Sequence, residues 1–223
     1  MFKYYVVSLL FFGSAALGDN LCLRGDGDAV EITLQVSERA VPVVLRVDLG
    51  YFDQRFVPRS GSRRDGLLLS MQASDFAPWP NEVRPHQSEG PFMSYLISNF
   101  LDFELIAQRY TSNTLGYRVT DDISWIDSRG PYGLLSLVAP DAVQTRTGAL
   151  VGDHDVFFSR DADGAISDVI KCLLPGETPF QLCSHLIDNG DEDIKLSYAP
   201  EFLPEWRRLS QNAKMFFRCM QAD

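Results

Sequence analysis

The sequence predicts an α+β fold: antiparallel strands with a C-terminal amphipathic helix packed on the sheet. Three observations carry this expectation. Val30-Glu31-Ile32-Thr33-Leu34-Gln35-Val36 alternates apolar and polar residues, the period-two signature of a half-buried strand. Two later segments read as hairpins closed by acidic turns. Trp206, Leu209, Ala213, Phe216, Phe217 and Met220 recur mostly at three- and four-residue steps, making one apolar stripe on a helix.

The first eighteen residues, MFKYYVVSLLFFGSAALG, stand apart from that pattern. Lys3 supplies a positive start, Tyr4 to Phe12 an apolar run, and Ala16 and Gly18 the small residues before a cut at Asp19. This is the layout of a secretory signal peptide, too short for a membrane span. A lipoprotein reading fails at Cys22, because Asp19, Asn20 and Leu21 precede it in place of small residues. No later stretch approaches the length of apolar sequence that crosses a bilayer. The expectation is a free, soluble, exported protein without membrane insertion.

After the Val30–Val36 strand and Pro42, the residues Val43, Leu45, Val47 and Leu49 repeat the alternation, with Arg46 and Asp48 on the other face. Residues 50–66, rich in Gly, Ser, Arg and Pro, read as a loop, and Leu67, Leu69 and Met71 start another strand. Residues 75–91 hold four prolines and Gly90, a second loop. The mature chain 19–223 is expected to form one α+β domain. Two similar subdomains, divided somewhere within 75–150, are the alternative. From Phe92 to Tyr110 the pattern fits strand and helix equally. Gly133 to Val138 reads as a short buried strand. Asp155–Ser159 and Ala165–Cys172 form a hairpin across Arg160-Asp161-Ala162-Asp163-Gly164. Cys183–Ile187 and Ile194–Tyr198 form another around Asp188-Asn189-Gly190-Asp191-Glu192-Asp193. Pro204 suits the first turn of the helix that follows, where its missing N–H costs nothing.

With 22% charged and 45% hydrophobic residues, the balance is that of a globular protein. The formal net charge is −10, and −11 once Lys3 leaves with the signal. A surface that negative repels nucleic acid and anionic lipid and favours basic partners. Cys22, Cys172, Cys183 and Cys219 all lie in the mature chain. An even count in an oxidising compartment reads as two disulfides, though four cysteines allow three connectivities. Cys172 and Cys183 bracket a short loop and make the natural local pair, leaving Cys22 and Cys219 to tie the chain ends together. No zinc spacing is present.

Catalytic signals are sparse. His86, His154 and His185 are the three histidines, and no nucleophile elbow, metalloprotease motif, P-loop or dinucleotide fingerprint occurs. His154 stands among Gly152, Asp153 and Asp155, which reads as a solvated turn unless a nucleophile comes within reach. His185, two residues after Cys183, reads as facing the edge of a disulfide-bonded strand. Asp161-Ala162-Asp163-Gly164 imitates the start of a calcium loop but lacks its third ligand and distal Glu, so an Asp-Gly turn explains it. The expectation is no enzymatic activity, no cofactor and no resident metal. An exported hydrolase built on His154 or His185, or a calcium-binding accessory domain, are the alternatives.

The C-terminal third is more distinctive as a set than any motif in it. Val156-Phe157-Phe158-Ser159 precedes the DADG turn, then come Ile170-Lys171-Cys172, Cys183-Ser184-His185-Leu186, a strand Ile194–Tyr198, and Phe202-Leu203-Pro204-Glu205-Trp206. This order of C…C-x-H, strand and L-P-x-W-helix resembles periplasmic immunity proteins encoded beside type VI secretion effectors, of the kind that neutralise phospholipase effectors. VPVVLRVDLGYF followed by DGLLLSM is similar to the same group, so the likeness covers about 40–72 and 155–220. It implies a periplasmic protein whose partner is a cognate toxin, and whose role is to cover that toxin's active site without catalysis. No contact residues carry over, since each immunity protein matches its own toxin. The acidic hairpin tips at Asp161 and Asp163 and at Asp191, Glu192 and Asp193 are the candidate contacts with a basic cleft.

Overall fold

The computed structural model describes residues 28–80, 90–100, 102–116, 123–140, 154–173 and 181–222. Residues 1–18, Cys22 and His86 lie outside them. In chain order the elements are β1 (Ala29–Leu34), β2 (Val43–Asp48), β3 (Ser62–Arg64), β4 (Leu67–Gln72), β5 (Phe92–Ser98), α1 (Phe103–Leu115), β6 (Ile126–Arg129), β7 (Leu135–Val138), β8 (His154–Arg160), β9 (Ile166–Leu173), β10 (Cys183–Ile187), β11 (Asp193–Tyr198) and α2 (Trp206–Met220). A three-stranded sheet runs β2-β1-β3, and an eight-stranded sheet runs β4-β5-β11-β10-β9-β8-β7-β6. Apart from the parallel β1–β3 pair, all the ladders are antiparallel. The α+β reading holds.

Alternation along the central strands of the large sheet divides their buried side chains between two cores. Ile170, Cys172, Cys183, Ile187, Ile194, Leu196, Tyr198, Met93, Tyr95 and Ile97 share one face of the large sheet. That face packs in a single cluster with α2 and with Ile32, Leu34, Leu45 and Val47 of the small sheet. Val169 and Leu186 point to the other face and pack with Ala107 of α1. The smaller core also takes in Leu137, Phe158 and Ile166.

The undecided stretch 92–110 resolves into both elements, a strand and then a helix. Asp102 caps α1 by accepting from the Leu105 amide at 3.1 Å, and Gly116 ends it in the left-handed region at φ 73°. Its buried positions are Ala107, Thr111 and Ser112, and Phe103, Ile106 and Tyr110 pack half-buried beside them against the smaller core. Two strands appear where loop or no element was expected, β3 inside 50–66 and the exposed β6. Neither has apolar alternation. Pro204 falls in a 3-10 turn, Pro200–Glu205, immediately before α2.

The helix α2 buries Trp206, Leu209, Ser210, Ala213, Phe216, Phe217 and Met220. Each large apolar side chain among them contributes on the order of 1.5–3 kcal/mol through burial. Polar bonds fix its pose. Tyr95 donates its hydroxyl to the Ala213 carbonyl at 2.9 Å, and Arg208 donates to the Ser74 and Ala73 carbonyls at 2.8 and 3.2 Å. Trp206 Nε1 donates to the Tyr132 carbonyl at 3.1 Å. Tyr132 is held there with a left-handed backbone, φ 55°, rare for an aromatic residue. Beyond the helix, Gln221 bridges to Leu45 and the Ala222 amide donates to the Val44 carbonyl at 3.0 Å.

Cys172 and Cys183 stand directly opposite each other on β9 and β10 and form a disulfide. Cys219 is disulfide-bonded as well. Its expected partner, Cys22, is outside the described residues. Replacing both Cys172 and Cys183 by Ala should lower stability by about 3 kcal/mol, since the bond closes a short loop in the unfolded chain. Urea unfolding checks this. An unchanged midpoint would mean that pairing of β9 with β10 already restrains the chain equally.

Candidate functional site

The antiparallel register of β9 and β10 sets Ile187 opposite Asp168. The turn after β8 and the turn after β10 therefore emerge side by side at one end of the large sheet. The Asp188 amide donates to the Ser167 carbonyl at 2.9 Å, joining the two turns. The structure thus brings both acidic tips together. Asp161 is turned inward on its own backbone, its Oδ1 accepting the Asp163 and Ala165 amides at 2.9 Å each. Asp163 and Asp191 are exposed, and Glu192 is half-buried.

Asp193 differs from its neighbours. It is buried, and its carboxylate accepts the Phe100 amide at 3.0 Å and the Asn189 amide at 3.4 Å. Burial pushes its pKa up; the two amide bonds pull it back, and nearby Asp188 and Asp191 push it up again. Glu192 is likewise raised, by burial first and then by Asp191. Two of the five candidates, Asp161 and Asp193, therefore hold their turns together, while Asp163 and Asp191 project from them.

The first turn of α1 reaches the same end. A depression of about 510 Å³ there is lined by Asp102, Glu104, Asp188 and Asp193, with Phe100 and Ile166 among its apolar groups. Arg160 stands beside it, pairing with Glu104 at 3.0 Å and Asp127 at 2.7 Å. These two partners raise the pKa of Arg160 and fix its guanidinium. Among the described residues, no group of three or more His, Cys, Asp or Glu side chains is arranged to hold a metal ion. The visible use of the Asp161 carboxylate is as an acceptor for its own turn.

His185 does not face a strand edge. It is fully enclosed, with Nε2 2.9 Å from Asp168 Oδ1 and Nδ1 3.2 Å from the Tyr198 hydroxyl. Ser159 and Ser167 place hydroxyls 2.8 Å from the other Asp168 oxygen, and Ser210 of α2 also bonds to that carboxylate. A hydrolytic triad needs one imidazole nitrogen for a carboxylate and the other for a nucleophile open to substrate. Here the second nitrogen meets a buried tyrosine. The constellation is a polar clasp inside the core. A signal for it existed in the sequence: Asp168 and His185 both occupy inward positions of alternating strands, where an unpaired polar group would be costly. His154 is half-buried at the start of β8, and Gly152 and Asp153 beside it lie outside the described residues.

No protein-family model matches the chain, and no curated protein matches its sequence. Solved structures do match its fold. One is Smlt3025, an immunity protein of the Stenotrophomonas maltophilia type IV secretion system, with a TM-score of 0.59 and 16% identity over 87% of this chain and 94% of that one. Another is the Neisseria meningitidis iron-regulated outer membrane lipoprotein FrpD, with a TM-score of 0.46 and 9% identity over 85% of this chain and 92% of that one. The first likeness establishes a shared fold across nearly the whole of both chains. No helix among the described residues is long and apolar enough to cross a membrane.

Proposed function

We propose that this chain is an exported immunity protein that binds a cognate secreted antibacterial toxin and occludes its active site. The observation that carries the reading is the acidic end of the sheet, where two hairpin tips and the start of α1 set carboxylates side by side on a rigid frame. Such a surface is complementary to the basic cleft of another protein. A fold shared along its length with a secretion-system immunity protein supports the same reading. So does the enclosure of His185, which leaves the Asp168–His185 pair closed to substrate.

The finer assignment, a type VI lipase or phospholipase as the toxin, has its support in the sequence resemblance of 40–72 and 155–220. The structural relative serves a type IV system, so both kinds of effector belong in the test. A periplasmic location is supported by the leader and by the Cys172–Cys183 disulfide, which persists in an oxidising compartment.

The test is a binding and inhibition assay with the effector encoded beside this gene. Exchanging Asp163 and Asp191 for Asn and Glu192 for Gln should slow association about tenfold at low salt while leaving the fold intact. The wild-type association rate should fall as salt is raised. A rate insensitive to both changes would refute the electrostatic part. A wild-type protein that forms no complex with the effector would remove the immunity reading.

A further inference from the structure

A second surface lies on the outer face of the large sheet, beside an arginine-rich segment. Helix α1 covers that face over β7, β8 and β9. Over β4 and β5, Leu68, Ser70 and Ser94 instead floor a groove of about 460 Å³ walled by Phe56 and Val57. The apolar groups are open to solvent: Phe56 is 72% and Leu68 60% exposed. Arg64 and Asp53 line the same groove, and Asp53 is already paired with Arg55. The segment 50–66 that builds its wall carries Arg55, Arg59, Arg63 and Arg64 against Asp53 and Asp65, a local reversal in a chain of net charge −10.

The wall is held in place from below. Tyr51 and Phe52 are buried, and the Tyr51 hydroxyl donates to the Phe76 carbonyl at 3.0 Å. Asp48 caps the Gly50 amide at 2.7 Å, and Asp53 accepts from the Arg55 amide and pairs with its guanidinium, each at 3.0 Å. A preformed groove loses little conformational freedom when it is filled.

We propose that this groove docks an apolar side chain of the toxin flanked by carboxylates. The partner's identity rests on the immunity reading above. The groove itself rests on Leu68, Phe56 and Arg64. Exposed apolar groups in a concavity supply the affinity, and Arg64 selects an acidic surround. With carboxylates at one end of the sheet and the Arg64 guanidinium at this groove, a toxin of matching charge pattern fits in one orientation.

The experiment measures binding of the effector to wild-type protein and to Leu68→Asp and Arg64→Glu, with circular dichroism melts as the fold control. Leu68→Asp should raise Kd about 30-fold or more, and Arg64→Glu should slow association about tenfold at low salt. Should Leu68→Asp unfold the protein, Phe56→Ala gives the same reading from the wall. A folded groove variant that binds like wild type overturns the inference and leaves the immunity reading standing. Arg64→Glu associating as fast as wild type overturns the acidic occupant. Absence of any wild-type complex overturns both.

Discussion

Asp168→Ala should lower the unfolding free energy by about 3–5 kcal/mol, a loss on the scale of breaking a buried charged contact from one side. The carboxylate is 4% exposed and collects bonds from His185, Ser159, Ser167 and Ser210. Its removal leaves the enclosed imidazole nitrogen without its partner, an unsatisfied group costing about 1–3 kcal/mol, while Ser159 and Ser167 keep their bond to each other at 2.8 Å. Burial alone would raise the pKa of Asp168. The bond and charge of His185, with the Ser210 and Ser159 hydroxyls, outweigh that and hold it well below the usual 3.8. A depressed folded pKa means stabilisation that is complete above the unfolded value and drains away as pH falls beneath 3.8. Urea midpoints for wild type and Asp168→Asn should therefore differ at pH 7, and the gap should have begun to shrink by about pH 3 and close only well below it, as pH falls through the depressed folded value. A gap of the same size at both would show that the carboxylate's charge is not what the clasp uses.

Phe216→Ala should cost a similar amount, about 3–5 kcal/mol, because it empties the meeting point of several elements. The ring is 3% exposed and lies 5.0 Å from Tyr51, 6.1 Å from Phe76 and 5.4 Å from Tyr95, the last edge-on. Tyr51 supports the groove wall, Phe76 sits in a turn held by Arg208, and Tyr95 belongs to β5. One side chain of α2 thus spaces three separate segments. The melting temperature should drop by on the order of 10 °C. A drop of under about 2 °C would mean that the neighbours close over the vacated space.

The acidic hairpins, buried on both faces, were legible from their turn residues, whereas period-two alternation made β1, β2 and β4 legible, because each buries one face and exposes much of the other. The stripe of α2 was legible for the same reason. Helix α1 was not, since its apolar side, Phe103, Ile106, Ala107 and Tyr110, follows closely on the apolar strand β5 and runs into the polar buried pair Thr111 and Ser112. β3 escaped because Ser62, Arg63 and Arg64 bury almost nothing; its pairing with β1 is a backbone affair. Composition located the acidic tips, and only the register of β9 and β10 shows that they are neighbours. The groove was invisible in a net charge. Arg64, which lines it, belongs to an arginine-rich segment, but the apolar floor it meets comes from strands further along the chain.

The pairing of Val44 and Leu45 with Ala222 and Gln221 also bears on the order in which the molecule can be made. β1 and β2 emerge about 160 residues before α2, yet their apolar faces are covered in the same cluster as that helix. No partial chain can complete this cluster, so folding waits until residue 222 is available. A polypeptide that cannot finish itself early stays threadable, which suits passage through a membrane in extended form. On the proposed export route, the partner-binding shape would then arise only on the far side, where the proposed toxin would arrive.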